Sequence, residues 1–524
     1  MSNKTVGAIL LLVLGAALVV GIKYATPYIF DSKQKSTSDA KATKGNLTVA
    51  MDNWIGYAPL CSLEMKRLMK NSGWNFQCDD DKAEYIKRME RIKKKEIQFA
   101  VGTVDTDVLT GAKHSYPGAM IAVIDQSKGG DAILAHKDKY ANLNALKGVT
   151  GLRIAYTPSS PSHHLLKAVA DHFGISEVLA KNAQRIETEG SEDACKALLA
   201  GKVDVAVCWE PDVSKTLEKG SGKIIKLLGT ESTERLIVDV LLVERSFADS
   251  NPDVVKLVLG SYFMALKSYR DQPELLKREI MDTHKLSADK VDTMLKGIEW
   301  ATLQDNAEKW FGISANGVRG NEGIIATIES TVRILINSGD FKSNPLPSKD
   351  PYRLIHSAYV EELVTKGVVG FTIPGAKDAK AAMVTGLEGK FAALSLEAWA
   401  NLREVGTLRV EPVTFQSGSD ELSLNGKQEL DTIADKLKHY PSFRALVKGH
   451  TGTSGDPSAN KELSQARAES VIRYLTITYS MDPNRLYAVG KGSEAPLKQL
   501  QDESDRAYEY RLPRVEISLV RETI

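Results

Sequence analysis

Residues 443–451 read FRALVKGHT, and residues 460–477 read NKELSQARAESVIRYLTI. The first is a short, largely apolar run that reads as a strand. The second sets Leu463, Val471 and Leu475 at helical spacing. Arg467 falls on the same line, four residues from each of the first two. A guanidinium on an apolar face needs an acceptor. Either its stem packs while its head reaches water, or the head clamps a carboxylate ligand. Working outward, residues 410–416 (VEPVTFQ) read as a strand, and residues 427–440 as a helix with Leu430, Ile433, Ala434 and Leu437 on one face. Residues 485–492 read as a short strand and loop, and residues 514–520 as a closing strand. The order is β-α-β-α-β with a final β element, an α/β domain over residues 405–524.

This stretch resembles the OmpA-like peptidoglycan-associated domain. The matching residues are Gly449-His450-Thr451, Gly455, Asn460, Leu463-Ser464, Arg467-Ala468, Gly490-Lys491-Gly492 and Pro496. The resemblance implies peptidoglycan as partner, through the diaminopimelate of the stem peptide. It implies that Arg467 takes the ligand carboxylate, with Thr451 and Asn460 shaping the pocket. The family's Asp after His-Thr, which holds the ligand ammonium, is here Gly452, and Asp456 is out of register. Leu512-Pro513-Arg514 also departs from the family's Asn-Arg-Arg.

Upstream, residues 345–402 are a Pro-containing, then Ala-rich transition, with a linker expected over residues 371–404. Residues 46–370 alternate strand and helix. Strands are expected in 46–54, 74–78, 97–103, 129–137, 151–157, 185–190, 203–209 and 234–244, with helices between. That alternation implies parallel sheets covered by helices. Residues 129–137 enter a second lobe (about 135–232), and residues 234–244 return to the first. Two crossings between two α/β lobes make a cleft with a hinge. Ligands of open parallel sheets bind beyond the carboxyl ends of the strands. Those ends carry Asp52 to Pro59, Gly102 to Asp105, and Thr157 to His164. The last segment opens a helix, where hydroxyls and free N–H groups form an anion site or simply an N-cap.

Four stretches in order, WIGYAPL (54–60), IAVIDQSKGGDAILA (121–135), RIAYTPSSPSHHLLKAV (153–169) and AVCWEPDVSKTLE (206–218), resemble nitrate/taurine/sulfonate-type ABC substrate-binding proteins. The resemblance implies a two-lobed type II periplasmic-binding fold and a small anionic or zwitterionic solute. It implies that Trp54 and Tyr57 wall the cleft beside Thr103 and Asp105, and that Ser159, Ser160, Ser162 and His163 take the ligand's polar group. Glu210 disfavours a bare anion unless it pairs with a donor, which leaves an amine-bearing ligand open. Within this frame Cys61 and Cys78, and Cys195 and Cys208, lie near common sheet edges and become disulfide candidates in an oxidising compartment.

Residues 5–22 (TVGAILLLVLGAALVVGI) carry no charge and are bracketed by Lys4 and Lys23. The run meets the lower length of a spanning helix and no small-x-small cleavage site follows it, so residues 1–30 read as a short cytoplasmic N-terminus and membrane anchor, with a cleaved signal peptide as the competing reading. Polar residues 31–45 read as a flexible tether. The 524-residue chain has 68 Lys+Arg, 67 Asp+Glu and a net charge of +1, which disfavours nucleic acid as a partner. No phosphate loop, metal cluster or nucleophile–base pair stands out, so no enzyme, metal or cofactor is expected. The expectation is a single-pass inner-membrane protein with periplasmic C-terminal domains, acting as envelope sensor or scaffold, with further membrane proteins as partners. Two alternatives stand beside it. A stator-like subunit would need an ionisable residue in its span, and residues 5–22 have none. An enzyme derived from the binding fold would show turnover.

Overall fold

The computed structural model describes residues 43–180, 183–313, 320, 322–366, 391–416, 418–501 and 503–522. The expected membrane span (5–22), most of the tether and linker residues 371–390 lie outside the described residues. Among the described residues no helix is long and apolar enough to cross a membrane.

The chain opens with β1 (Gly45–Met51), α1 (Leu63–Asn71), β2 (Trp74–Asp80), α2 (Tyr85–Lys93), β3 (Phe99–Thr103), α3 (Val104–Gly111) and β4 (Gly118–Ser127). Strand β3 is buried along its whole length, in keeping with the apolar run Phe99–Gly102 that precedes Thr103. The chain then crosses into a second lobe built from β5 (Asp131–His136), β6 (Arg153–Tyr156), α4 (Pro161–Phe173), β7 (Gln184–Glu187), α5 (Ser191–Leu199), β8 (Val205–Trp209), α6 (Asp212–Gly220) and β9 (Ile224–Gly229). It returns through residues 230–237 to β10 (Val238–Glu244). Helix α7 (Pro252–Asp271), strand β11 (Ile298–Trp300) and helix α8 (Gly323–Asn337) complete the first lobe.

The first sheet has the order β11-β4-β10-β3-β1-β2 and the second β7-β6-β8-β5-β9. Strands β4 and β10, next to each other in the first sheet, are the two that feed the crossings. The crossing at residues 128–130 lies before the expected start of the second lobe at 135, because Asp131 already pairs with Trp209. The lobes touch: Lys167 of α4 meets Asp340, just beyond α8, at 2.8 Å, and Asn337 donates to Asp171 at 2.9 Å. Cys61 is bridged to Cys78 and Cys195 to Cys208, with Cα separations of 6.1 and 6.5 Å.

The C-terminal sheet, in the order β12-β15-β13-β14, contains β12 (Arg403–Thr407), β13 (Arg444–His450), β14 (Leu486–Gly490) and β15 (Arg514–Arg521). Helices α9 (Leu424–Lys438) and α10 (Pro457–Tyr479) lie between its strands. The strand expected at 410–416 is not formed; β12 takes its place. Pro412 has no N–H to give a ladder. Thr414 instead seals the start of α9, its carbonyl accepting from Ser423 N at 3.1 Å, so close to Gly426 that a Cβ there would lie 2.2 Å away. The domain also reaches back into the segment expected as linker. Trp399 stacks on Tyr487 at 5.1 Å, and Phe391 N donates to Asp482 at 2.7 Å.

One apolar core runs from the second lobe into the C-terminal domain, joining Leu143 and Phe173 to Val405, Leu437 and Tyr440. Tyr440 OH meets His172 Nδ1 at 2.7 Å. His439 touches the return crossing and the first lobe together. Its Nδ1 lies 3.0 Å from the Glu234 carbonyl, and its Nε2 lies 2.9 Å from Ser330 Oγ of α8. A carbonyl only accepts, so Nδ1 carries the proton and Nε2 accepts from the serine.

Candidate functional site

The cleft is built from strand ends. Thr103, Asp239 and Asp125 are register partners across β3, β10 and β4, so they stand in a row on the first sheet. Asp52 follows β1 and Asp105 opens α3. From the other lobe, Asp131 begins β5 beside Trp209 and Glu210, and Thr157 to Ser160 lead into α4. Asp52, Asp105, Asp125, Asp131 and Asp239 are all buried.

The aromatic pair faces these acids. Trp54 Nε1 donates to Asp125 at 3.3 Å, and Tyr57 OH donates to Asp239 at 2.5 Å. Gly56 and Gly130 allow this packing: a Cβ on Gly56 would sit 2.1 Å from Asp125, and one on Gly130 2.1 Å from the Trp54 ring. Burial raises the Asp125 carboxyl to about 8, against the hydrogen bonds from Trp54 and Asp239. Burial likewise raises Asp131 to about 7 and carries Asp239 well above the usual range, with Asp125 adding to it. Arg88 compensates only Asp52, at 3.2 Å, because it also grips Asp81 and donates to the Val101 carbonyl at 2.6 Å.

The sequence-derived residues divide by what they hold. Ser160 caps α4: its Oγ donates to the Thr157 carbonyl at 2.6 Å and accepts from His163 N at 3.5 Å. Ser159 lies in the left-handed region (φ 54°), and its N–H donates to His163 Nδ1 at 3.3 Å. His163 stacks on Tyr156, centroids 4.6 Å apart, and burial lowers its ring to about 3. Thr103 is spent on the start of α3, its N–H donating to Thr106 Oγ1. Glu210 accepts from Ser214 Oγ and N at 2.7 and 3.1 Å, so it caps α6. Asp105 and Ser162 differ: Asp105 Oδ1 and Ser162 Oγ are buried with no hydrogen-bond partner. His164, in the same segment, is likewise buried, with Nδ1 unpartnered.

Sequence reasoning left out Asp125, Asp131, Asp239 and Arg88, and named His164 only as the end of the segment that opens α4. A signal was there for two of them. Asp125 interrupts the apolar strand IAVID, and Asp239 interrupts LIVDVLLVE. A charge inside a buried strand is costly unless something uses it.

In the C-terminal domain, Thr451 N donates to the Gly492 carbonyl at 3.0 Å, and Gly492 packs against Asn460 and Lys461. Asn460 Nδ2 holds the Ser454 carbonyl at 2.9 Å. Arg467 lies two turns further along α10, roughly 10 Å away by helical rise. Its guanidinium lies over Phe415 at 5.1 Å, and its Nε donates to the Ser419 carbonyl at 3.1 Å. Its Nη groups have no hydrogen-bond partner among the described residues. Asp456 is the N-cap of α10, accepting from Ala459 N at 2.8 Å, which explains why it is out of register. Gly452 has open space around a built Cβ.

Residues 85–275 match the NMT1/THI5-like family, and residues 414–509 match the OmpA family. The chain joins an NMT1/THI5-like domain to an OmpA domain. Over 106 residues it is 34% identical to outer membrane protein A of Bordetella avium, covering 20% of this chain and 53% of that protein. Over 101 residues it is 30% identical to the peptidoglycan-binding protein ArfA of Mycobacterium bovis, covering 19% and 31%. The chain spans 28% to 53% of the length of the first curated relatives it matches. Among solved structures it is similar to the periplasmic aliphatic sulphonate binding protein SsuA of Escherichia coli, at 15% identity and a TM-score of 0.45, covering 60% of this chain and 99% of that one.

Proposed function

We propose that this is a cell-envelope protein that binds a small solute between the lobes of its first module and contacts peptidoglycan through its OmpA domain. In this reading residues 5–22 anchor it in the inner membrane, and it serves as sensor or scaffold without turnover. The observation that carries the reading is the joint between the two modules. The OmpA domain shares an apolar core with the second lobe and touches the return crossing and α8 through His439. A module gripping the wall is therefore in contact with both halves of the solute-binding module. Arg467, with free Nη groups over an aromatic ring, suits a carboxylate of the stem peptide.

Pelleting with purified sacculi tests the wall half. The native chain should pellet, and Arg467→Ala should weaken binding by roughly 10- to 100-fold, the loss of a hydrogen bond to a charged group. Equal pelleting of both proteins would make Arg467 structural. An active C-terminal alkaline phosphatase fusion is expected from the anchored topology; activity only from a cytoplasmic reporter would reverse it.

A further inference from the structure

Four buried carboxylates of the cleft, Asp105, Asp125, Asp131 and Asp239, form no ion pair among the described residues. Asp125 has the Trp54 indole, Asp239 the Tyr57 hydroxyl and Asp131 the Ser127 side chain, all neutral donors. Asp105 Oδ1 has no hydrogen-bond partner among the described residues. The cations within reach are committed elsewhere. Arg88 is held by Asp52, Asp81 and the Val101 carbonyl, and Lys167 by Asp340. With no counter-charge beside them Asp125, Asp131 and Asp239 retain protons towards neutral pH, which a bound cation would displace, whereas a bare anion finds no charge partner here.

We propose that the cleft takes an organic cation bearing a primary ammonium, with Asp105 as its main charge partner. This rests on the solute-binding reading above and narrows it: a ligand without an ammonium does not suit the site. Asp105 lies in the first turn of α3, which packs against α4 of the facing lobe, and it is close enough to Asp131 and His164 to act on both electrostatically. On that facing lobe, Ser162 Oγ is buried without a partner and so is His164 Nδ1. These two groups are independent of the acids and lie in the first turn of α4. An ammonium carries three N–H donors and no acceptor, and so suits a set of unused acceptors around an anionic centre. A metal ion fits less well, since among the described residues no three His, Cys, Asp or Glu side chains are grouped to hold one.

The test uses the full-length chain in mild detergent and follows its melting temperature. The probes are three primary amines (ethylamine, putrescine and tyramine), two anions (methanesulfonate and phosphate) and calcium. At saturation at least one amine should raise the melting temperature by roughly 3–5 °C, and the anions should not. Asp105→Asn should fold normally and weaken that amine by roughly 10- to 100-fold in a titration. Asp131→Asn should weaken it less. A rise with methanesulfonate or phosphate and none with the amines overturns the cation assignment and leaves solute binding standing. A rise with calcium alone moves the acids to a metal site and also overturns it. Response to no probe removes both readings. An amine that binds Asp105→Asn as tightly as the native chain removes Asp105 from its role.

Discussion

The inter-lobe cleft and the surroundings of Arg467 in the OmpA domain set their charged groups in opposite ways. The cleft buries carboxylates among neutral donors and keeps one guanidinium, Arg88, fully occupied. The OmpA domain leaves one guanidinium, Arg467, half-buried with its Nη groups unpartnered among the described residues, and open space at Gly452 where an acid could stand. Burial makes the first region sensitive to every change of charge, whereas partial exposure makes the second a matter of affinity alone. One chain thus presents a carboxyl-lined interior between its lobes and a guanidinium with spare donors on its OmpA domain.

Removing Arg88 should break that contrast most forcefully. Its guanidinium holds Asp52 and Asp81 and the Val101 carbonyl from a buried position. Arg88→Ala leaves buried carboxylates uncompensated, so stability should fall by about 3–5 kcal/mol in denaturant unfolding. The matching change in the wall pocket, Arg467→Ala, should leave the unfolding midpoint nearly unmoved. A similar loss from both would show that Arg467 is as deeply structural as Arg88.

Adding an acid to the wall pocket should sharpen the contrast. Nothing lies within 4 Å of a Cβ built on Gly452, so an aspartate enters without moving a neighbour. Gly452→Asp should strengthen binding to sacculi by the equivalent of about 1.5–3 kcal/mol, one charge-assisted hydrogen bond to the ligand ammonium. No gain in pelleting would mean that the pocket serves a ligand lacking that ammonium.

Stability against pH should separate the regions by sign. Asp125 and Asp131 are raised to about 8 and about 7, so the folded chain holds protons that the unfolded chain has released. Stability should therefore fall as pH rises from about 4 through 8, by about 1.4 kcal/mol per pH unit for each group still titrating. Burial lowers His439 to about 4 and depresses His172 as well, so at the joint the unfolded chain binds more protons. That contribution is lost as pH falls from 6.5 towards 4. Between about pH 4 and 6.5 the two contributions oppose each other, and above 6.5 the acids' fall stands alone. Thermal unfolding of native and variant chains, taken as differences across pH, should therefore separate an acid limb from an alkaline one. Asp125→Asn should flatten the alkaline limb, and His439→Gln the acid one. Curves unchanged by either substitution would break the assignment.

Much of this architecture was legible because strand and helix alternate in short, well-marked runs. The helical stripe through Leu430, Ile433 and Leu437 is buried as expected, and both cysteine pairs meet. The strand expected at 410–416 misled because apolar content alone cannot tell a ladder strand from a segment that seals a helix start. Pro412 was the clue against it. The cleft was harder. Serines and a histidine before a helix advertise a ligand site, yet Ser160 and Glu210 cap helices, work that any fold requires. Asp239 joins Asp125 and Asp131 only when β10, distant in sequence, returns to pair with β4.

The smallest effects separate two serines one residue apart. Ser160 Oγ bonds the Thr157 carbonyl and accepts from His163 N, so it holds the start of α4 in place. Ser162 Oγ is as deeply buried but bonds nothing. Losing an N-cap costs about 1 kcal/mol, so Ser160→Ala should lower stability by that amount and leave intrinsic ligand affinity nearly unchanged. Removing an unpartnered buried hydroxyl should leave stability unchanged or slightly higher, because no hydrogen bond is lost and a desolvated polar group is gone. Ser162→Ala should instead weaken whichever amine the native chain binds. Unfolding and titration curves for the two variants should therefore cross: the less stable protein binds normally and the more stable one binds poorly. If Ser162→Ala binds as the native chain does, its hydroxyl is a tolerated defect of packing, and recognition rests on Asp105.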